Sequence, residues 1–359
     1  MNLFSKNYED FIVSSVGYIQ LKQYGKAKEV LEKAIKKKPN ISDAYEYMGI
    51  AHLKEGNEAE ASFYFKKANE ISGGLLEKLY FNAGVVFFKR GLIDDALEIF
   101  TKVRLVNEKN QFAQYYLGQI FSKSGNYKGA IDEFQDILGK CPDDLNTLES
   151  LGYLYFDLKM ADEGIDVFLK LIALKPDNDN YYFNTAYLYK FKSNYDKAIE
   201  YFIKAIEVNP SNYLNYVNLG DIYKLKKEFG KAEEMYKKAC EEFPMDFMIY
   251  YDMGLLYLDQ KQYKTALEHF MKAYDLNNDD SYSVNKIATC YMMLGEDENA
   301  NRFFEMSVMK NEEDPYTHFK YGEYCMKKGM KEKAKREFER TLQIEPNYII
   351  AKLKLKELG

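Results

Sequence analysis

The chain of 359 residues has no tryptophan, three histidines, four cysteines and seven prolines. Its 21 glycines and seven prolines fall below the roughly 12% share of these turn formers in average usage, which favours long helices. Cys141, Cys240, Cys290 and Cys325 are far apart, and no pair has the spacing of a metal knuckle or redox motif. They are expected to be inert thiols in a reducing, cytoplasmic compartment. His52, His269 and His318 are too scattered to suggest a catalytic constellation. There is no Gly-rich phosphate loop, HExxH motif or nucleophile elbow. No apolar run approaches the ~20 residues of a membrane helix, and the opening residues, Met1 to Lys6, lack the basic and apolar segments of a secretion signal. The net charge of −6 argues against a phosphate-neutralising surface over the whole molecule. The expected protein is not an enzyme, needs no cofactor or metal, and binds neither nucleic acid nor membrane.

Hydrophobic residues make up 47% of the chain, including 33 Tyr and 24 Phe, enough to bury a core. They are arranged periodically. Asn110, Asp144, Asn178, Asn212, Asp246, Asp280 and Asp314 recur every 34 residues. Asp and Asn side chains accept hydrogen bonds from orphan helix N–H groups, so each of these residues predicts a helix start. Pro315, directly after Asp314, suits a first helical position. Numbering from the residue after each cap gives ten repeats: 8–41, 42–75, 77–110, 111–144, 145–178, 179–212, 213–246, 247–280, 281–314 and 315–348, with Leu76 as an insertion at the Ser72-Gly73-Gly74 turn. Residues 1–7 are expected to form a short leader.

Position 8 is always small (Gly49, Gly84, Gly118, Gly152, Gly220, Gly254, Gly322, with Ser15, Ala186 and Ala288), and position 20 is Ala or Gly throughout. Position 24 is bulky, from Leu31 and Phe65 to Phe338. Two small residues, one on each of two helices, let those helices approach closely. Each repeat therefore reads as two amphipathic helices joined by a short turn, with Gly56, Gly91, Gly125, Gly295 and Gly329 at position 15 suited to a left-handed helix end.

Small at 8, mostly aromatic at 11, Ala at 20, Phe at 24, Ala at 27 and Pro at 32 resembles the tetratricopeptide repeat family. The resemblance covers 8–348 and implies an all-α, right-handed superhelical α-solenoid of about ten helix-turn-helix units. A capping helix is expected over 349–359, because the last repeat needs its open end covered. The resemblance also implies that positions 2, 5, 6, 9, 12 and 13 of each first helix line a concave groove.

On that basis the candidate groove residues are Asn82, Tyr115, Tyr116, Tyr153, Phe183, Asn184, Tyr187, Asn218, Tyr251, Lys286 and Lys320. Tyr and Phe suit a protein-binding surface, and Asn can both donate to and accept from a peptide backbone. Lys286 and Lys320 could receive an acidic segment, or could be solubilising charges paired with Asp252 and Glu323. The family's carboxylate clamp needs Lys at 5 and Asn at 9, Asn at 6 of the next repeat, and basic residues at 2 and 6 of the third. No three consecutive repeats supply that set. The expected role is a scaffold or adaptor that holds a protein or peptide segment in its groove. The alternatives are a self-assembling homo-oligomer or the non-catalytic arm of a larger enzyme complex.

Overall fold

The computed structural model describes residues 7–358. Among them all regular structure is helical, in 21 helices without a strand. The chain divides into two compact units, Met1–Leu174 and Lys175–Gly359. The leader expected over 1–7 lies outside the described residues except for Asn7, whose side chain accepts from the Tyr8 N–H at the start of the first helix.

The first unit holds α1 (Tyr8–Gln20), α2 (Tyr24–Lys37), α3 (Ser42–Lys54), α4 (Glu58–Ile71), α5 (Leu75–Lys89), α6 (Ile93–Val106), α7 (Gln111–Lys123), α8 (Tyr127–Lys140), α9 (Leu145–Asp157) and α10 (Ala161–Leu174). The second holds α11 (Asp179–Phe191), α12 (Tyr195–Val208), α13 (Tyr213–Leu225), α14 (Phe229–Glu242), α15 (Phe247–Asp259), α16 (Tyr263–Leu276), α17 (Ser281–Leu294), α18 (Asp297–Lys310), α19 (Pro315–Lys327), α20 (Lys331–Ile344) and α21 (Ile349–Glu357). Within each unit the helices pack as consecutive pairs, and each pair also packs against the next. The fold is therefore an α-solenoid of helix-turn-helix elements, whose apolar faces are buried only by neighbours along the row.

The position-8 and position-24 residues explain how a pair closes. Gly49 faces the Phe65 ring, Gly84 faces Phe100, Gly118 faces Phe134, Gly220 faces Tyr236 and Gly322 faces Phe338, each so closely that an added Cβ would lie 2.6–2.9 Å from a ring carbon. Phe65, Phe100, Phe202, Phe270 and Phe338 are fully buried, and each contributes ~2–3 kcal/mol of apolar burial. The position-20 alanines, among them Ala27, Ala96, Ala198 and Ala334, are also fully buried.

The turn between the two helices of a repeat needs a left-handed residue at position 15. Gly56, Gly91, Gly125, Gly295 and Gly329 supply it in five repeats, and Lys22, Lys159, Ser193, Lys227 and Lys261 adopt the same conformation at φ 57–61° in the other five.

Six of the seven repeating Asp and Asn residues accept backbone N–H bonds at the helix starts, such as Asn110 from Ala113 at 2.9 Å and Asp144 from Thr147 at 2.9 Å. Asn212 makes no side-chain cap. Its amide donates to Asp179 Oδ2 at 2.8 Å, as the Asn110 amide donates to Glu77 Oε1 at 2.8 Å while its oxygen caps.

The last helix, α21, packs on α20 and buries Ala351, while Ile349, Ile350 and Leu353 stay exposed. His318 is buried with its two ring nitrogens 2.7 Å from Glu337 Oε2 and 3.1 Å from the Glu312 carbonyl, so it is a structural residue.

Candidate functional site

Position 5 of the first helix carries an aromatic ring in five repeats, and each of these rings lies on its own repeat's position-24 ring. The centroid distances are Phe81–Phe100 5.9 Å, Tyr115–Phe134 6.0 Å, Phe183–Phe202 5.7 Å, Tyr251–Phe270 5.5 Å and Phe319–Phe338 5.7 Å. The buried ring thus forms a floor that holds a second ring, half-buried at Phe81, Tyr115, Phe183 and Tyr251 and buried at Phe319. Aromatic pairs at such separations add ~0.5–1.5 kcal/mol beyond area burial.

In the first unit this second layer widens into a cluster. Tyr116 stacks on Phe100 with centroids 4.8 Å apart and an interplanar angle of 6°. Phe81 meets Tyr116 at 6.0 Å and Phe112 at 6.3 Å. Tyr115 shares a hydrogen bond with Ser150 at 3.1 Å, and the Gln119 amide donates to both (3.2 and 2.6 Å). Three depressions adjoin there. One of about 310 Å³ is lined by Lys78, Phe81, Asn82 and Phe112. The next, about 260 Å³, is lined by Phe112, Tyr115, Tyr116 and Asn146. The third, about 280 Å³, is lined by Tyr115, Asn146, Glu149 and Tyr153. Phe112 is 73% exposed and borders the first two, whereas Tyr115 and Asn146 border the second and third. The structure thus gathers Asn82, Tyr115, Tyr116 and Tyr153 along α5, α7 and α9. Phe112 was missed in the sequence, although it lies at position 2, one of the expected groove positions.

In the second unit, Tyr187 is exposed and Phe183 half-buried, and their rings stack at 6.2 Å. Asn184 is buried, and the Asn218 amide is already engaged, donating to the Leu214 carbonyl at 2.9 Å and accepting from Lys190 Nζ at 3.0 Å. Lys190 also pairs with Asp221 at 3.1 Å, Lys224 lies 3.8 Å from the same carboxylate, and Tyr236 donates its hydroxyl to it at 2.8 Å. Sequence reading missed this network, whose members lie at positions 6, 9 and 12 of first helices and at position 24. Beside it, burial and the negative charge of Asp221 push the Asp252 carboxyl up to about 7, against the pull of Lys224 and Lys190. Burial likewise raises the Tyr251 phenol. Lys320 pairs with Glu323 at 2.7 Å. Lys286 does not pair with Asp252: its Nζ donates to the Tyr316 hydroxyl at 2.9 Å.

Models of the tetratricopeptide repeat match residues 18–41, 81–144, 145–178, 180–212, 214–244 and 249–280, more than half of the chain. The chain belongs to the tetratricopeptide repeat family. Tetratricopeptide repeat proteins are generally scaffolds for protein–protein interaction, and the family points to a non-catalytic fold. A TPR repeat-containing protein of Methanocaldococcus jannaschii is 34% identical over 124 residues, a match covering 34% of this chain and 21% of that protein. Anaphase-promoting complex subunit 3 of Schizosaccharomyces pombe is 23% identical over 137 residues, covering 38% and 20%. The chain thus spans about a fifth of the length of the curated relatives it matches. Among solved structures, the APC/C hetero-tetramer Cut9–Hcn1 matches with a TM-score of 0.50 at 18% identity, over 100% of this chain and 78% of that one. Yeast Tom70 matches with a TM-score of 0.50 at 17% identity, over 99% and 88%. Both share the tetratricopeptide repeat fold. No described helix is long and apolar enough to cross a membrane.

Proposed function

We propose that this tetratricopeptide repeat chain is a non-enzymatic scaffold whose first-helix faces hold extended segments of a partner protein. The observation that carries the reading is the row of three adjoining depressions on α5, α7 and α9, bordered by Phe112, Tyr115 and Tyr153. Successive depressions along an extended backbone are how such a surface takes up alternate side chains, and rigid aromatic anchors supply the affinity. Asn82, exposed beside the first depression, offers donor and acceptor to the guest backbone. Phe183, Tyr187, Tyr251, Lys286 and Lys320 form the corresponding surface of the second unit, and Asn184 and Asn218 support it from below. The net charge of −6 supports a protein partner rather than nucleic acid or a lipid surface. The cytoplasmic reading rests on four free thiols, two of them buried in the core.

The test is peptide binding by the purified chain, with a displayed library as ligand. Phe112→Ala and Tyr153→Ala are expected to weaken selected peptides at least tenfold, the range of an aromatic anchor, with the circular dichroism spectrum unchanged. Peptides that bind the Phe112→Ala and Tyr153→Ala variants as well as the parent would remove the proposal.

A second reading has its own observation. The last helix, α21, leaves Ile349 (71%), Ile350 (53%) and Leu353 (54%) exposed, which favours self-association through this end. Light scattering over a concentration series distinguishes the two, since an invariant monomer excludes the second reading.

A further inference from the structure

Lys286 is a cation of the second unit's first-helix face that has no counter-charge among the described residues. Lys190 and Lys224 face Asp221, and Lys320 pairs with Glu323. The half-buried Lys286 ammonium has only the Tyr316 hydroxyl, 2.9 Å away, and the Tyr316 ring, 5.4 Å from its nitrogen to the centroid. Among the described residues no carboxylate lies within ion-pair distance of it. An ammonium carries three donors, so two remain for a guest. The Tyr316 hydroxyl, while accepting from Lys286, keeps its own proton to donate.

These donors border a depression of about 170 Å³, lined also by Thr289, Met292 and the Lys320–Glu323 ion pair. Next to it, Met248, Tyr251, Asp280 and Tyr282 line a second depression of about 130 Å³. The Tyr282 and Tyr316 rings, 6.2 Å apart, separate the two. Met248 and Tyr282 are about half exposed. Asp280 and Asp314 lie nearby but do not neutralise the lysine. Asp280 accepts the Tyr282 and Ser283 N–H groups at 3.4 and 2.8 Å, and Asp314 those of Tyr316 and Thr317 at 3.3 and 3.2 Å. Their charge is therefore directed at helix N-termini, whose partial positive charge offsets it.

We propose that this surface on α15, α17 and α19 receives an aspartate or glutamate side chain of the partner segment, held by Lys286 Nζ and the Tyr316 hydroxyl, with a neighbouring apolar side chain in the Met248–Tyr251–Tyr282 depression. Charge-assisted N⁺–H···O⁻ bonds are about twice as strong as neutral ones, and a half-buried setting screens them less than open water does. The uncompensated charge of Lys286 selects against a basic guest. This inference rests on the reading of the chain as a segment-binding scaffold and adds the chemistry of the segment.

The experiment selects a random displayed peptide library on the full chain and measures individual binders by fluorescence anisotropy. Binders that compete for the second unit are expected to be enriched in Asp and Glu next to an apolar residue. Replacing that acid by its amide is expected to weaken binding about tenfold, the scale of a hydrogen bond to a charged group. Lys286→Gln should cost the same factor and abolish the difference between acid and amide peptides, and Tyr316→Phe should lose part of it. Lys286→Glu should bind a peptide with Lys in place of the acid better than the parent does, which checks the contact independently of any loss of folding. Binders without acidic enrichment, or with equal affinity for Lys286→Gln, overturn the inference, while sensitivity to Phe112→Ala would keep the scaffold reading. A library that yields no binder overturns both.

Discussion

Gly254 lies so close beneath the Phe270 ring that a Cβ on it would come within 2.6 Å of two ring carbons. Gly152 has more room, with the Phe168 ring and Val167 at 3.2 Å. Gly254→Ala should therefore cost ~1–3 kcal/mol through overpacking. Gly152→Ala should stay within ~0.5 kcal/mol of the parent, because the better helix propensity of Ala offsets a small shift of its neighbours. Urea titration of both variants checks the contrast.

Glycine is missing where five turns need it. Lys159 and Ser193 hold φ of 57° and 58°, a conformation that disfavours a Cβ. Lys159→Gly and Ser193→Gly should each raise stability, by ~0.5–1 kcal/mol, since the relief of strain exceeds the added chain entropy of the unfolded state. A rise in the thermal midpoint is the readout, and a fall would show that the Lys159 side chain contributes more than its backbone costs.

Two carboxyls give the pH profile opposite slopes. Asp252 is raised to about 7 in the fold by burial and by Asp221, against about 3.9 when unfolded. The folded state therefore binds the proton more tightly, and stability falls as pH rises from about 4 to about 7. Asp252→Asn should remove that slope and gain ~1–2 kcal/mol at pH 7.5. Glu98 is lowered to about 2 by hydrogen bonds from Lys54 and Lys102. Its contribution is present above about 4.3, the unfolded value, and is lost as pH falls toward 2. Glu98 is 43% exposed, so screening holds that contribution to ~0.5–1 kcal/mol. Denaturant melts of Asp252→Asn and Glu98→Gln against pH separate the two slopes.

Asn215 is fully buried with neither amide atom hydrogen-bonded. Ile249 fills the corresponding position of the next repeat. Asn215→Leu should stabilise by ~1–2 kcal/mol by removing an uncompensated polar burial. An unchanged melting temperature would mean that the amide is satisfied in solution.

The all-helical fold was legible in the sequence because its determinants are local. Gly254 and Phe270 stand at fixed places in one repeat, and their sizes alone make the helices meet. The site was only partly legible. Tyr115 could be placed on the right face, but a repeat position does not reveal that its ring is fixed on Phe134 and its hydroxyl tied to Ser150 and Gln119. Lys286 could have reached Asp252 or Tyr316, and rotamers and desolvation decide between them rather than spacing. Asn218 suggested a free amide, yet Lys190, one repeat earlier, already occupies its oxygen. Phe112 was overlooked although it lies at position 2, which is also aromatic at Tyr282 and Tyr316.

The glycine-on-ring contact joins residues only half a repeat apart along the chain. A ribosome need extrude only about three such hairpins, each leaning on the last, before a stable nucleus can exist. Assembly can then keep pace with synthesis from the amino end, and an unfinished chain shields its apolar faces long before its carboxyl end has been made.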